Sequence, residues 1–287
     1  MSDRISRPAT DLPAPTDMAQ ALRARLPDVA AIDWVAETGS TNTDLLVELR
    51  TRSGPARVRV LGTHRQHSGR GRAGRTMHNQ AGDTLMFSCT LPVRMTPAQL
   101  PCVSLIAGLT ACETLRRHAR PDRSDTLRVK WPNDIQIDEA KLAGLLVESV
   151  RDRAAGPNAH AVVIGMGMNL HNSAALAERL QRPVADWSQC AGDAPLDALV
   201  ADVILAWRDA LHTCARDSFA AFQQRFRAVD ALAGRAVNVI DDGRILHSGT
   251  ALGVNADGHL LVTDSTGPNA SPIAILFGDV SIRTQQP

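Results

Sequence analysis

Apolar positions change their spacing several times along the chain, and each change marks an expected element. Residues 1–15 are polar, carry three prolines and are expected to form a flexible tail. Over MAQALRARL, Met18, Leu22 and Leu26 fall on or near one helical face, with Thr16 as the expected cap. IDWVAE (32–37) reads as a strand, after which Ser40 or Thr41 opens a helix through DLLVELR that Ser53-Gly54-Pro55 ends. RVRVLGT (57–63) alternates, and TLMFSCTLPV (84–93) is apolar enough for a central strand. A helix is expected from Pro97 to about Arg117. LRVKWPNDIQI (127–137) reads as two strands pinched at Trp131-Pro132-Asn133-Asp134, and KLAGLLVESV (141–150) and HAVVIGMGMNL (160–170) as strands of the same sheet. Residues 174–182 and 196–227 read as helices.

From Gly234 the pattern shortens. Alternating strands are separated by Asp241-Asp242-Gly243, Asn255-Ala256-Asp257-Gly258 and Ser265-Thr266-Gly267 turns, which predicts a small all-β barrel. The expected organisation is α+β: a tail (1–15), a mixed-sheet unit (16–230) and a β module (231–287).

Composition narrows the function classes. The 287 residues carry 44% hydrophobic and 21% charged side chains, a soluble globular balance. A formal charge of +1 gives no bulk attraction to nucleic acid or to an anionic membrane, so any positive field is local. Five cysteines without CxxC spacing favour reduced, buried thiols and a cytoplasmic location over a disulfide framework or a zinc site. No apolar run approaches a membrane span of about 20 residues.

Against that neutral background GTHRQHSGRGRAGR (62–75) stands out, with four glycines and four arginines. It is either a solvated surface loop or an anion-binding loop, in which glycines expose backbone N–H groups while Arg70, Arg72 and Arg75 offer forked donors. It is neither a Walker A element nor a dinucleotide fingerprint. In Lys130-Trp131-Pro132-Asn133-Asp134 the polar residues either close an Asx-type turn or face a cleft, with Lys130 on a phosphate and Asp134 on magnesium. Lys141 is a solvated strand start or an ammonium aimed at developing charge. Gly165-Met166-Gly167-Met168-Asn169 is a plain strand exit or a close backbone approach to ligand. Ser40-Thr41-Asn42 caps a helix or pins a polar head-group. The histidines show no metal-binding spacing. Together these residues point to a nucleotide-using enzyme with an unnamed second substrate.

In this order, GSTN (39–42), GRGRAGR (69–75), KWPND (130–134), KLAGLLVE (141–148), GMGMN (165–169) and the terminal β module resemble the biotin–protein ligases, from about Thr38 to Arg283. The resemblance implies a mixed-sheet catalytic domain of the biotin/lipoate ligase type followed by a small SH3-like β-barrel. It implies activation of biotin with MgATP to biotinyl-5′-AMP and pyrophosphate. The biotinyl group is then transferred to one lysine of the biotin carboxyl-carrier domain of a biotin-dependent carboxylase. By matched position, Ser40, Thr41, Asn42 and Gln66 border the biotin ureido ring, and Gly69, Arg70 and Arg72 lie in the segment ordering over carboxylate and phosphate. Lys141 holds the carboxylate or the bridging oxygen. Gly144, Leu146, Gly165 and Met168 line the ring and the valeryl chain. Lys130, Asn133, Asp134 and Asn169 sit on the nucleotide and Mg2+ side, with Asp134 also orienting the incoming amine. The catalytic set implied is Arg70, Arg72, Asp134 and Lys141.

The chain departs from the family pattern at Ala73, at Met77 where an aromatic residue is common, at Met86 where tyrosine is common, and at Gly278-Asp279 where Gly-Glu is common. Only 38 residues precede the Gly-Ser-Thr-Asn element, so the form without an N-terminal DNA-binding domain is expected, as a monomer or homodimer without nucleic-acid partners. A lipoate–protein ligase and a non-catalytic biotin-binding protein are the competing readings.

Overall fold

The computed structural model describes residues 10–241, 243–263, 271–276 and 281–284. Its first seven strands are β1 (Ala31–Thr38), β2 (Arg59–Gln66), β3 (Thr84–Arg94), β4 (Leu127–Lys130), β5 (Asp134–Ile137), β6 (Ala140–Arg151) and β7 (Ala159–Asn169). They form one mixed sheet in the order β1-β2-β3-β7-β6-β5-β4, with β1 and β2 parallel and the other neighbours antiparallel. The helices are α1 (Pro15–Arg25), α2 (Thr41–Thr51), α3 (Val103–His118), α4 (Ser173–Leu180), α5 (Leu196–Asp217) and α6 (Gln223–Arg227).

Side chains alternate across a strand, so each strand of this sheet serves two environments. Leu85, Phe87, Cys89 and Leu91 of β3 and Val162, Ile164, Met166 and Met168 of β7 enter the large core with α1, α3 and α5. Phe87 stacks on Trp207 at 5.5 Å between ring centroids, and Trp207 Nε1 donates to Ala107 O at 3.0 Å, tying α5 to α3. On the opposite face Leu45, Leu46 and Leu49 of α2 close a smaller core over Leu61, Ala161 and Val163. That small core covers one end of the face. Beyond it the sheet surface is polar and rich in glycine.

Three helix boundaries differ from expectation. The first helix starts at Pro15 behind Ala14, without a Thr16 cap, because proline at the first position has no N–H to satisfy. The helix expected from Pro97 starts only at Val103, since Pro101 disfavours helical backbone at Leu100 and a Thr96–Gln99 turn precedes it. The long helix expected to Arg227 breaks at Ser218, whose φ of 60° lies outside the right-handed helical region. Of the expected tail, residues 1–9 lie outside the described residues, while Thr10 is buried and its carbonyl accepts from His171 Nε2 at 3.2 Å.

The second sheet comprises β8 (Ala236–Asp241), β9 (Arg244–Val254), β10 (Leu260–Val262), β11 (Ile273–Ile275) and β12 (Ser281–Thr284), in the antiparallel order β11-β10-β9-β8-β12. The β9–β10 turn is set by Asn255, whose Oδ1 accepts from the N–H groups of Asp257 and His259. The expected turn at Ser265-Thr266-Gly267 and the Gly278-Asp279 pair lie outside the described residues. The two sheets touch at a point that matters for the site: Trp131 Nε1 donates to Gly258 O at 3.0 Å, fixing the residue that leads into Pro132. Among the described residues no helix is long and apolar enough to cross a membrane.

Candidate active site

Directly paired residues of neighbouring strands share a face, so the strand register lays out the site. One row runs Leu61–Ser88–Gly165–Leu146 across β2, β3, β7 and β6. The next runs Thr63–Met86–Gly167–Gly144–Asp134–Lys130 across to β4. Both lie on the face beneath α2. Gly165 and Gly167 form its floor, where a Cβ would overlap Asn42 Oδ1 at the first and Met77 Cε at the second. At Gly165 the short, hydrogen-bonded Asn42 lies flat on the backbone and glycine is required, whereas at Gly167 the group in the way is the flexible end of Met77.

The first row ends in a buried polar cluster. Ser40 is the N-cap of α2, which delivers Thr41 and Asn42 to the sheet at its first turn. Gln66 Oε1 accepts from Thr41 N at 2.8 Å and from Thr41 Oγ1 at 3.2 Å. Ser88 Oγ lies 2.7 Å from Thr41 Oγ1 and donates to Asn42 Oδ1 at 2.6 Å. Asn42 Nδ2 donates to Glu148 Oε2 at 3.0 Å. Met86 Sδ lies 3.3 Å from Gln66 Nε2, so the methionine supplies the wall beside that amide. The cluster offers matched donors and acceptors inside an apolar surround, as recognition of a small polar ring system requires.

The second row ends in charge. Lys141 is three residues from Gly144, an odd spacing that in an unbroken strand would place them on opposite faces. A register shift between Ile135 and Gln136 of β5 returns Lys141 to the site face, and its Nζ donates to Asp134 Oδ1 at 2.6 Å. The missing side chain of Gly144 leaves room for the ammonium, since a Cβ there would sit 3.1 Å from Nζ. Burial pushes the Lys130 ammonium below the ordinary lysine range. Asp134 opposes that shift, and the positive charges of Lys141, Arg283 and Arg182 reinforce it. Arg283 belongs to β12, so the second sheet adds to the positive field at this end.

The glycine–arginine loop spans the two ends. It is a tight turn with Arg72–Gly74 as one 3-10 turn, Gly71 N donating to Arg75 O at 2.7 Å and Met77 N to Gly69 O at 2.8 Å. Ala73 lies in that turn, and its side chain is outside what the structure describes. Arg70 Nη2 donates to Thr43 Oγ1 at 3.0 Å and approaches Glu148 at 3.4 Å, while Arg72 Nη1 reaches Asn133 Oδ1 at 3.4 Å. Asn133 Nδ2 in turn donates to Leu145 O at 2.6 Å, fixing the turn onto β6.

Two sequence expectations change. Met168 does not line the site: it pairs with Leu85 and Ala143 on the core face and is fully buried there, because it is one residue out of phase with Gly165 and Gly167. Gly167 takes the place in the floor. Asn169 is on the site face, but its Nδ2 donates to Lys141 O at 3.4 Å and Ala185 O at 3.0 Å, so it braces the start of β6. His67 pairs with Glu37 at 2.9 Å, away from the cluster. Sequence reasoning missed Ser88, Asn79 and Glu148. Asn79 clamps Gln66, with Oδ1 accepting from Gln66 N at 3.1 Å and Nδ2 donating to Gln66 O at 2.9 Å. The weak signal for Ser88 was a hydroxyl inside an otherwise apolar strand.

Two family models match the chain: the biotin/lipoate A/B protein ligase family over residues 34–169 and the biotin protein ligase C terminal domain over 233–283. The chain is 30% identical over 252 residues to a biotin--[acetyl-CoA-carboxylase] ligase of Paracoccus denitrificans, covering 85% of this chain and 98% of that one. It is 30% identical over 240 residues to the bifunctional ligase/repressor BirA of Escherichia coli, covering 82% and 68% respectively. Its fold superposes on a biotin protein ligase from Aquifex aeolicus in complex with biotin and ATP with a TM-score of 0.71 at 22% identity, covering 89% of this chain and all of that one. The chain belongs to the biotin/lipoate A/B protein ligase family, on its biotin protein ligase branch.

Proposed function

We propose that the chain is an ATP-dependent biotin–protein ligase acting on the biotin carboxyl-carrier domain of a biotin-dependent carboxylase. One observation carries the assignment of the site: a glycine-floored strip joins a buried donor–acceptor cluster to a group of cations. Biotin has the matching anatomy, with a ureido ring at one end, an apolar chain and a carboxylate at the other. Thr41, Asn42, Gln66 and Ser88 bind the ureido ring. Leu146 and Met86 flank the chain, and the carboxylate reaches Lys141.

The carboxylate oxygen attacks the α-phosphorus of ATP, the bond to pyrophosphate breaks, and the mixed anhydride forms. Two anions must be brought together for this step, and charge develops on the leaving pyrophosphate. Lys141, Lys130 and Arg72 supply fixed positive charge at that place. Among the described residues there is no group of three or more metal-ligating side chains. Asp134, the carboxylate at the cationic end of the strip, would hold a magnesium ion together with the nucleotide phosphates that carry it in. When bound, the ion would neutralise charge on the phosphates. In the second step the neutral amine of the carrier lysine attacks the acyl carbon, the C–O bond to AMP breaks so that AMP leaves, and the amine's surplus proton passes to solvent. Asp134 orients that amine, and Lys141 balances its charge. Arg70 and Arg72 hold the loop across the strip, which keeps water from the anhydride.

The test is incubation with magnesium, ATP and either biotin or lipoic acid, followed by mass analysis of the small molecules. Biotinyl-adenylate is the expected product. An adenylate formed only from lipoic acid would overturn the assignment.

A further inference from the structure

Away from the site, two thiols meet. Cys102 is at the N-terminal end of α3 and Cys214 is in the last turn of α5, 112 positions apart in sequence, yet their Sγ atoms are 3.6 Å apart. Gln99 holds both ends: its carbonyl accepts from the Cys102 thiol at 3.0 Å, and its amide donates to the Cys214 carbonyl at 3.2 Å. The Trp207–Ala107 hydrogen bond fixes the same two helices further along. The two sulfurs are thus held side by side. Closing from this separation to a disulfide bond needs about 1.5 Å of approach, within reach of side-chain rotation at two helix ends.

We propose that Cys102 and Cys214 are a thiol–disulfide pair, oxidised by a low-molecular-weight disulfide of the glutathione class to a crosslink between α3 and α5. The Cys214 sulfur attacks the reagent disulfide and expels one thiol, leaving a mixed disulfide. The Cys102 sulfur then attacks the Cys214 sulfur and expels the second thiol. Two protein S–H bonds and one reagent S–S bond break, while one protein S–S bond and two reagent S–H bonds form. The protein gives up two electrons and two protons.

Geometry selects this pair, and the local chemistry agrees. The contact between the two sulfurs sets them apart, and holds the Cys214 thiol below the ordinary range. The same contact, with burial, raises the Cys102 thiol. Cys112 and Cys190 are buried too, and burial pushes each up to about 12, which leaves almost no thiolate. Both paired sulfurs are shielded in the folded state, so the reagent enters by fraying of the first turn of α3 and the last turn of α5.

The experiment uses the full chain, incubated with oxidised glutathione, then denatured, alkylated and digested without reduction. Two alkylatable thiols should be lost and a peptide linking Cys102 to Cys214 should appear, both reversed by dithiothreitol. The melting temperature should rise by roughly 5–10 °C, because the crosslink restricts a long loop in the unfolded chain. Cys102→Ser and Cys214→Ala should each prevent the crosslink. The wild-type peptide map needs no variant and decides the matter even where one misfolds. Five alkylated thiols after oxidation, a crosslink between other cysteines, or glutathione retained on a single cysteine would each overturn the proposal.

Discussion

Lys141 and Arg72 both bring positive charge to the site, but the sheet fixes one and a loop carries the other. Lys141 stands on β6, its face set by a register shift and its ammonium held by Asp134 at 2.6 Å. Arg72 stands on a short 3-10 turn and reaches Asn133 at 3.4 Å. The same contrast holds for the glycines. Those at 165 and 167 are pressed under side chains, whereas a Cβ at Gly71 would meet only ordinary contacts, 3.6 Å to Arg75 O and 3.9 Å to its Cβ. Strand residues are thus set by the sheet, while the loop is held by a few hydrogen bonds of its own and by Arg70 and Arg72. An enzyme that must admit two substrates and then shield a reactive anhydride needs both kinds of support.

The comparison breaks first at Lys141. Lys141→Ala should slow adenylate formation by about 10²–10³-fold with the fold intact, as loss of a preorganised charge-stabilising group does. Near-normal single-turnover rates in a folded variant would remove Lys141 from the chemistry.

The frame beneath α2 comes next. Asp152 is buried at the end of β6, where it accepts from Ala56 N at 2.7 Å and pairs with Arg52 at 2.7 Å, holding the far end of α2. Burial opposes its ionisation, but these partners outweigh burial and depress its pKa. Asp152→Ala should cost about 2–3 kcal/mol at neutral pH. A depressed folded pKa contributes stability that is present above the unfolded value of about 3.9 and lost as pH falls through the folded one. The gap between wild type and variant in denaturant titrations should therefore shrink below about pH 4; a gap constant to pH 2 would contradict the ion pair.

Two alanine substitutions sharpen the glycine contrast. Gly165→Ala should push Asn42 off the floor and weaken biotin binding about tenfold, from overpacking of about 1–3 kcal/mol. Gly71→Ala should change stability by no more than about 0.5 kcal/mol. Equal losses of stability in the two variants, measured by scanning calorimetry, would mean that strand and loop glycines are not differently constrained.

The smallest effect falls on the loop anchor. Glu148→Gln keeps an acceptor for Asn42 but loses the charge facing Arg70, a half-exposed pair worth about 0.5 kcal/mol. Tryptic cleavage at Arg70–Arg75 should quicken two- to threefold at low salt (a rough range for a weak surface pair), with the difference fading at high salt.

Much of the fold was legible because local signals agree with the tertiary ones. Ser40 marks a cap, apolar runs mark β3 and β7, and Trp131-Pro132-Asn133-Asp134 marks the turn between β4 and β5. What was not legible depends on pairings distant in sequence. Ser88 meets Thr41 and Asn42 only through the sheet, and nothing near Lys141 announces the register shift that turns it inward. Met168 was misplaced by one residue of strand phase, which in a period of two is the whole difference between core and site. The role of Asn79 rests on the backbone of Gln66, which no side-chain pattern encodes.

The most direct test of the account is transfer. The chain, biotin, ATP and magnesium are incubated with a biotin carboxyl-carrier domain, and the carrier is mapped by mass spectrometry while AMP and pyrophosphate are counted. The account predicts one biotinylated lysine per carrier, with one AMP and one pyrophosphate released for each. Tight biotin binding with no ATP consumed and an unmodified carrier would contradict it, and would make the chain a biotin-binding protein.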